Sequence, residues 1–278
     1  MQTSPSLSLK TAGVSALAGL LLATAGVPSA QATKMTMTHG NSTAIVDTTS
    51  QAGIHTWTVD GTDQLFQQAF WYRIGNTAEQ SIETLGLFFE QVNTNVVKSS
   101  LDVVYRNATV QVAIAYTLTG GSNGSGHSDM AESITITNLT NSALDFHFFQ
   151  YNDFDLNGTA GNDTVYRKND NAIVQYEGGS VFTETVNTPS ATRYEVGLFP
   201  GTRNKLNDGG ATNLANVGGP FTGDATWAYQ WDTTIAARGS FQISKDKNIN
   251  PNPVPEPASL LLLGSGLAMF GVARRMKK

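Results

Sequence analysis

The chain has 278 residues, no cysteine and only 14% charged residues, with 17 basic and 22 acidic side chains. The missing cysteines exclude disulfides, thiol nucleophiles and thiolate metal sites, while the length is enough to enclose a sizeable core. Five of the bases lie in the two terminal segments, so Thr33–Pro253 carries 12 bases against 21 acids, a balance that repels nucleic acid and anionic lipid.

From the N-terminus, Met1–Lys10 is polar and carries one lysine, Ala12–Ala25 is an uncharged apolar run, and Val27-Pro28-Ser29-Ala30-Gln31-Ala32 follows. Ala30 and Ala32 form the small-x-small pattern that signal peptidase requires, because its cleft admits only small side chains there. Residues 1–32 are therefore predicted to be a signal peptide cleaved after Ala32. The apolar run is too short to span a bilayer comfortably.

From Thr33 to about Ser244 the pattern is β throughout. Period-two alternation is clear in Lys34-Met35-Thr36-Met37-Thr38, His55-Thr56-Trp57-Thr58-Val59 and Ser133-Ile134-Thr135-Ile136-Thr137. Longer candidates are Phe66–Ile74, Leu85–Val92, Thr109–Thr119, Ala143–Tyr151, Ala172–Tyr176 and Thr226–Thr234, separated by turn-forming clusters such as Asp60-Gly61-Thr62-Asp63 and Gly120–Gly126. Strands at this spacing predict one all-β domain, residues 33–244, folded as an antiparallel β-sandwich of roughly ten to fourteen strands. Thr202–Val217 is the only stretch read as a short helix or irregular loop. The polar, proline-bearing run 245–253 is read as a linker.

The strongest local candidate for chemistry follows the aromatic strand ending at Tyr151. Asp153, Asp155 and Asn157 stand at alternate positions, Gly158 comes next, and Asp163 closes the stretch. Alternating oxygens before a glycine copy the first half of a calcium loop, although Thr164 occupies the twelfth position where a bidentate glutamate belongs. Asp153, Asp155, Asn157 and Asp163 are therefore the candidate calcium ligands, the alternative being an Asx-rich turn bonded to its own backbone. His39, His55, His127 and His147 have no metal-ligand spacing and are read as structural. His147 should face away from Phe146 and Phe148. Arg73, after Phe70-Trp71-Tyr72, could stack on a sugar or pair with a carboxylate. Glu83, Glu90 and Asp102 are possible acids, but nothing fixes their geometry, and no G-x-S-x-G, H-E-x-x-H or phosphate-binding glycine loop is present.

The C-terminus has three parts in order. Val254-Pro255-Glu256-Pro257 is stiff and extended. Ala258–Ala273 is apolar and uncharged, and Arg274, Arg275, Lys277 and Lys278 form a basic stop-transfer end. Sixteen helical residues reach roughly 24 Å, a little less than a ~30 Å hydrocarbon core. Residues 254–278 thus predict one short transmembrane helix.

This tail resembles the PEP-CTERM sorting signal, whose Pro-Glu-Pro is matched by Pro255-Glu256-Pro257. The resemblance covers about the last 25 residues. It implies recognition by an exosortase, after signal peptidase, in a Gram-negative bacterium that makes exopolysaccharide and biofilm. It also implies a precursor held transiently in the inner membrane, then a product at the cell surface or secreted. Without a catalytic constellation, the expectation is a non-enzymatic envelope or matrix protein, structural or adhesive, with exopolysaccharide as a candidate partner. The alternatives are a carbohydrate-binding module using Trp57, Trp71, Trp227 and Trp231, and a secreted glycan hydrolase on the same sandwich.

Overall fold

The computed structural model describes residues 34–251. The predicted signal peptide, the Pro-Glu-Pro motif and the predicted membrane helix with its basic end lie outside those residues.

The elements follow in chain order. The first six strands are β1 (Lys34–His39), β2 (Ser42–Asp47), β3 (Gly53–Val59), β4 (Thr62–Asp63), β5 (Gln67–Ile74) and β6 (Gln80–Ser81). Next come β7 (Leu87–Thr94), β8 (Ser99–Arg106), β9 (Val110–Gly120), β10 (Ser128–Asn138) and β11 (Leu144–Asp153). After these lie β12 (Asp163–Asn169), β13 (Ala172–Glu177), β14 (Ser180–Thr188) and β15 (Arg193–Leu198). The helix α1 (Gly201–Lys205) precedes β16 (Phe221–Gly223), β17 (Ala225–Ile235) and β18 (Ser240–Pro251).

They form two nine-stranded sheets. The first runs β1-β2-β3-β5-β11-β17-β15, with β4 on β3 and β6 on β5; the second runs β16-β12-β13-β14-β18-β10-β9-β8-β7. Pairing is antiparallel apart from a short contact between β3 and β5. The predicted β-sandwich is what forms. Its strands outnumber the expectation because pieces such as β4, β6 and β16 are too short to leave a periodic signal.

Alternation decides which face each strand buries. Val110, Val112, Ile114, Tyr116 and Leu118 of β9 point inward and the residues between them outward. The central strands of the first sheet behave differently, since Gln67–Arg73 and Ala225–Trp231 are buried without interruption. Their outer face is covered by the predicted irregular stretch, whose Leu206 and Leu214 pack on Ala69, Trp71, Phe149, Tyr151 and Ala228. Between the sheets, Trp57, Phe154, Phe182 and Trp227 form an aromatic cluster with ring centroids 4.0–5.9 Å apart.

The linker expected at 245–253 is corrected. Lys245 to Pro251 is the second half of β18, which lies between β10 and β14 in the second sheet. Its inward positions are Ile243, Lys245, Lys247 and Ile249, all buried. The two lysines meet two equally buried glutamates: Lys245 Nζ is 2.6 Å from Glu132 Oε2 and 3.4 Å from Glu184 Oε1, and Lys247 pairs with Glu132. Across the sandwich, Gln150 and Gln68 accept from Lys245 and Lys247, and Trp227 Nε1 donates to Glu184 at 2.9 Å. A polar sequence went into the core because its charges cancel there in pairs.

Candidate functional site

β11 ends at Asp153, opposite Gln67 at the start of β5 and Thr226 at the start of β17. The chain then turns Phe154 inward against Trp57, Phe182 and Trp227. That anchor fixes the residues on either side of it, Asp153 and Asp155. Asp224 arrives from the turn before β17, where its carbonyl accepts from Phe199 N at 2.9 Å. Phe66 arrives from the turn before β5, donating its N–H to the Asp153 carbonyl at 3.0 Å. Three separate strand ends therefore converge at one end of the first sheet.

The carboxylates of Asp153, Asp155 and Asp224 each place an oxygen within 4.8 Å of the others. Asp153 is 1% exposed; its Oδ2 accepts from the Tyr151 hydroxyl at 3.1 Å, while its Oδ1 is buried without a partner. Burial first, then the charges of Asp224 and Asp155, push the Asp153 carboxyl up to about 7. Asp155 rises to about 6 through burial and the charges of Asp224, Asp63 and Glu177. Burial also raises Asp224. No ion pair among the described residues reaches these three groups; the Arg203 charge and the Tyr151 hydroxyl offset the burial of Asp153 only in part, so the remaining repulsion favours holding protons or a cation.

The carboxylates open onto a hollow of about 190 Å³ walled by Phe66, Phe199 and Ala160. Phe66 is 51% exposed and Phe199 36%, with their rings edge to face at 6.1 Å. Two neighbouring hollows of about 390 and 220 Å³ share Phe66 and add His55, Asp63, Gln67 and Arg203. The result is an acidic cleft with an aromatic wall.

Of the four residues predicted to bind calcium, Asp153 and Asp155 are brought together, while Asn157 and Asp163 stand outside that cluster. Asn157 adopts a left-handed backbone (φ 60); its Nδ2 donates to the Glu177 carbonyl at 3.1 Å and its Oδ1 accepts from Ser180 Oγ at 2.6 Å. Asp163 is buried at the start of β12, where burial pushes its carboxyl up to about 7. The third member of the triad, Asp224, stands about 70 residues away in sequence, the paired rings of Phe66 and Phe199 lie still farther from each other, and none of these carries a local motif. Two aspartates flanking an inward phenylalanine were the only signal available.

Other candidates resolve plainly. Arg73 pairs with Glu79 at 2.8 Å. Trp57, Trp71, Trp227 and Trp231 are all buried, so they form no sugar platform. His147 points away from Phe146 and Phe148 and bonds Asp232 through Nδ1 at 2.6 Å. Glu90 accepts from Thr48 Oγ1 at 2.6 Å.

Residues 253–278 match the PEP-CTERM protein-sorting motif. The tail is a PEP-CTERM sorting signal. It makes the chain an exported, membrane-anchored precursor with an exosortase as its processing partner; the sandwich that precedes it matches no family. No curated protein matches the chain in sequence. Among solved structures, the sandwich is similar to a bacterial glucoamylase complexed with acarbose, at TM-score 0.56 and 10% identity, over 81% of this chain and 33% of that one. It is similar also to a galactose 1-epimerase from Lactobacillus acidophilus NCFM, at TM-score 0.54 and 7% identity over 79% and 94%. A putative aldose 1-epimerase from Escherichia coli K12 gives TM-score 0.51 and 12% identity over 79% and 99%. The chain spans about a third of the glucoamylase. At these identities the likeness is one of fold alone.

This finding overturns the expectation of a non-enzymatic PEP-CTERM protein. Its fold neighbours are carbohydrate-processing enzymes. The expectation rested on the absence of local catalytic motifs, whereas carboxylates from distant turns converge here without one.

Proposed function

We propose that the exported domain is a carbohydrate-processing enzyme, a glycan hydrolase, whose substrate enters the cleft over Phe66 and Phe199 and meets Asp153, Asp155 and Asp224. The observation that carries this reading is a buried carboxyl raised to about 7 beside two other carboxyls in an aromatic-walled hollow. Glycosidic bond cleavage needs one carboxylic acid that keeps its proton near neutral pH and a second carboxyl that is ionised. Asp153 suits the first role, and Asp155 or Asp224 the second. The exposed faces of Phe66 and Phe199 suit the apolar face of a sugar ring. The unpaired acids favour a neutral or amino-sugar polysaccharide over a uronate-rich one. An exopolysaccharide of the host cell surface is the substrate class consistent with the sorting tail.

The test is to incubate the exported chain with neutral, amino-sugar and uronate polysaccharides and assay reducing ends. Cleavage of the first two classes, reduced at least ~100-fold by Asp153→Asn with the fold retained, is expected. No release from any of them removes this reading.

A second reading has its own observation, the unpartnered buried Oδ1 of Asp153. Hard divalent cations prefer carboxylate oxygens, so the triad would hold calcium through Asp153, Asp155 and Asp224. Under this reading calcium raises the melting temperature at pH 7.5, and Asp224→Asn abolishes the rise. If EDTA leaves both stability and cleavage unchanged, the acid–base reading stands alone.

A further inference from the structure

The register of the second sheet places two separate features at one end of the domain. β18 leaves at Pro251, opposite Ser180, and the sorting tail begins two residues later. Moving across the sheet, Ile249 pairs with Ser128, Ser128 with Gly120, and Leu118 with Ser99. Each antiparallel step reverses the chain, so the turn joining β7 to β8 points the same way as Pro251. Three to four strand spacings of ~4.8 Å put that turn roughly 14–19 Å to the side of the exit. His127, at the same end, bonds Asn250 through Nδ1 at 2.7 Å, and His39 reaches the Val96 carbonyl at 3.3 Å.

The turn itself is well fixed and oddly composed. Asn95 Oδ1 accepts from Val97 N at 2.8 Å and Lys98 N at 3.0 Å, and Asn95 N donates to the Lys98 carbonyl at 2.9 Å. At its tip stand Val96 and Val97, 97% and 68% exposed. Hairpin tips favour Asn, Asp and Gly; two neighbouring β-branched apolar side chains held out in water contribute nothing to the core and forgo the free energy that burial would gain.

We propose that the Val96–Val97 tip rests in the interfacial layer of the membrane that holds the precursor's tail. It is a second, shallow contact that sets how the domain stands on the bilayer. The chain between the domain and the apolar run, residues 252–257, reaches no more than ~20 Å, so this end of the sandwich is kept close to the lipid. Two valines bind a bilayer weakly by themselves, but a short tether raises the local concentration of lipid they sample. The acidic domain, with Lys98 as the base at the tip, matches a neutral lipid better than an anionic one. Once the tail is removed the tether is lost and the contact lapses, so the tip does not hinder release.

The absence of native cysteine allows a direct test. The full chain is placed in phosphatidylcholine nanodiscs with an environment-sensitive fluorophore at Val96→Cys. Ala108→Cys, in the turn at the opposite end of β8, serves as the control. Quenching by spin-labelled lipid at least twofold stronger at position 96 than at 108, lost when the tail is cut from the domain, is the expected result. Equal quenching at both positions, or none at 96, overturns the proposal. So does a signal at 96 that follows the number of chains per nanodisc, because a second copy would then be the partner. Glycan cleavage by the same preparation is a separate readout, so either proposal can fail alone.

Discussion

Asp153 is a residue whose charge the fold resists. Burial and two neighbouring carboxylates raise it to about 7, with Asp155 at about 6 and Asp163 at about 7. Groups raised in the folded state bind more protons there than in the unfolded chain. The stability they contribute is complete below the ordinary aspartate range near 4 and is lost as pH rises through 6 to 7. The melting temperature should therefore fall between pH 5 and pH 8, by an amount that Asp153→Asn reduces; thermal melts across that range check it. A rising profile would contradict the assignment. Tyr151 acts through Asp153, since its hydroxyl bond to Oδ2 favours the ionised form. Tyr151→Phe should move the limb of the pH–activity profile that reports Asp153 to higher pH while leaving KM nearly unchanged.

At the scale of elements, β18 decides whether the sandwich closes. Burial alone would raise Glu132, but the charges of Lys245 and Lys247 outweigh it and hold its carboxyl at about 2. Lys247 is lowered to about 8, first by burial, which the nearby glutamates only partly offset. The two shifts disagree about whether this cluster is favourable. They are reconciled if the cluster contributes little in net stability yet is expensive to break. Glu132→Gln leaves two buried lysines facing one glutamate and should cost about 3–5 kcal/mol in chemical denaturation. Its lowered carboxyl adds stability that is complete above about pH 4.5 and is lost only as pH falls towards 2, the opposite sense to Asp153. A chain ending at Ser244 should fail to fold, whereas one ending at Asn252 should be soluble, as circular dichroism of the two would show. The alternation of β9 and β10 was legible from sequence. The same alternation runs through Ile243, Lys245, Lys247 and Ile249, but lysines in inward slots read as solvent-facing. The clue lay elsewhere, in Glu132 at an inward position of β10.

At the scale of the whole molecule, legibility followed locality. The sorting tail is contiguous and could be read in full. The sandwich could be recognised as a class, because alternation and turn spacing are local, but the order of strands in its two sheets depends on long-range pairing. The cleft was half legible: Asp153 and Asp155 flank one inward phenylalanine, while Asp224, Phe66 and Phe199 come from turns that only folding brings near. Processing of the PEP-CTERM tail gives one further expected outcome. The protein recovered from its host should lack the apolar run and basic end, which intact-mass spectrometry would show; a product still ending at Lys278 would mean a permanent anchor.

The position of β18 also sets how the domain responds to pulling. Of its twelve residues, Ser244 to Ile249 are paired along both edges, to β10 and β14, and the sorting tail begins two residues after Pro251. A force applied through that tail runs along the strand axis and loads both ladders in shear, so many hydrogen bonds share the strain at once. A terminal hairpin at a sheet edge would instead unzip one bond at a time. The domain is thus clamped at the point where the membrane and its processing protease take hold, and it can be tugged there without being unravelled.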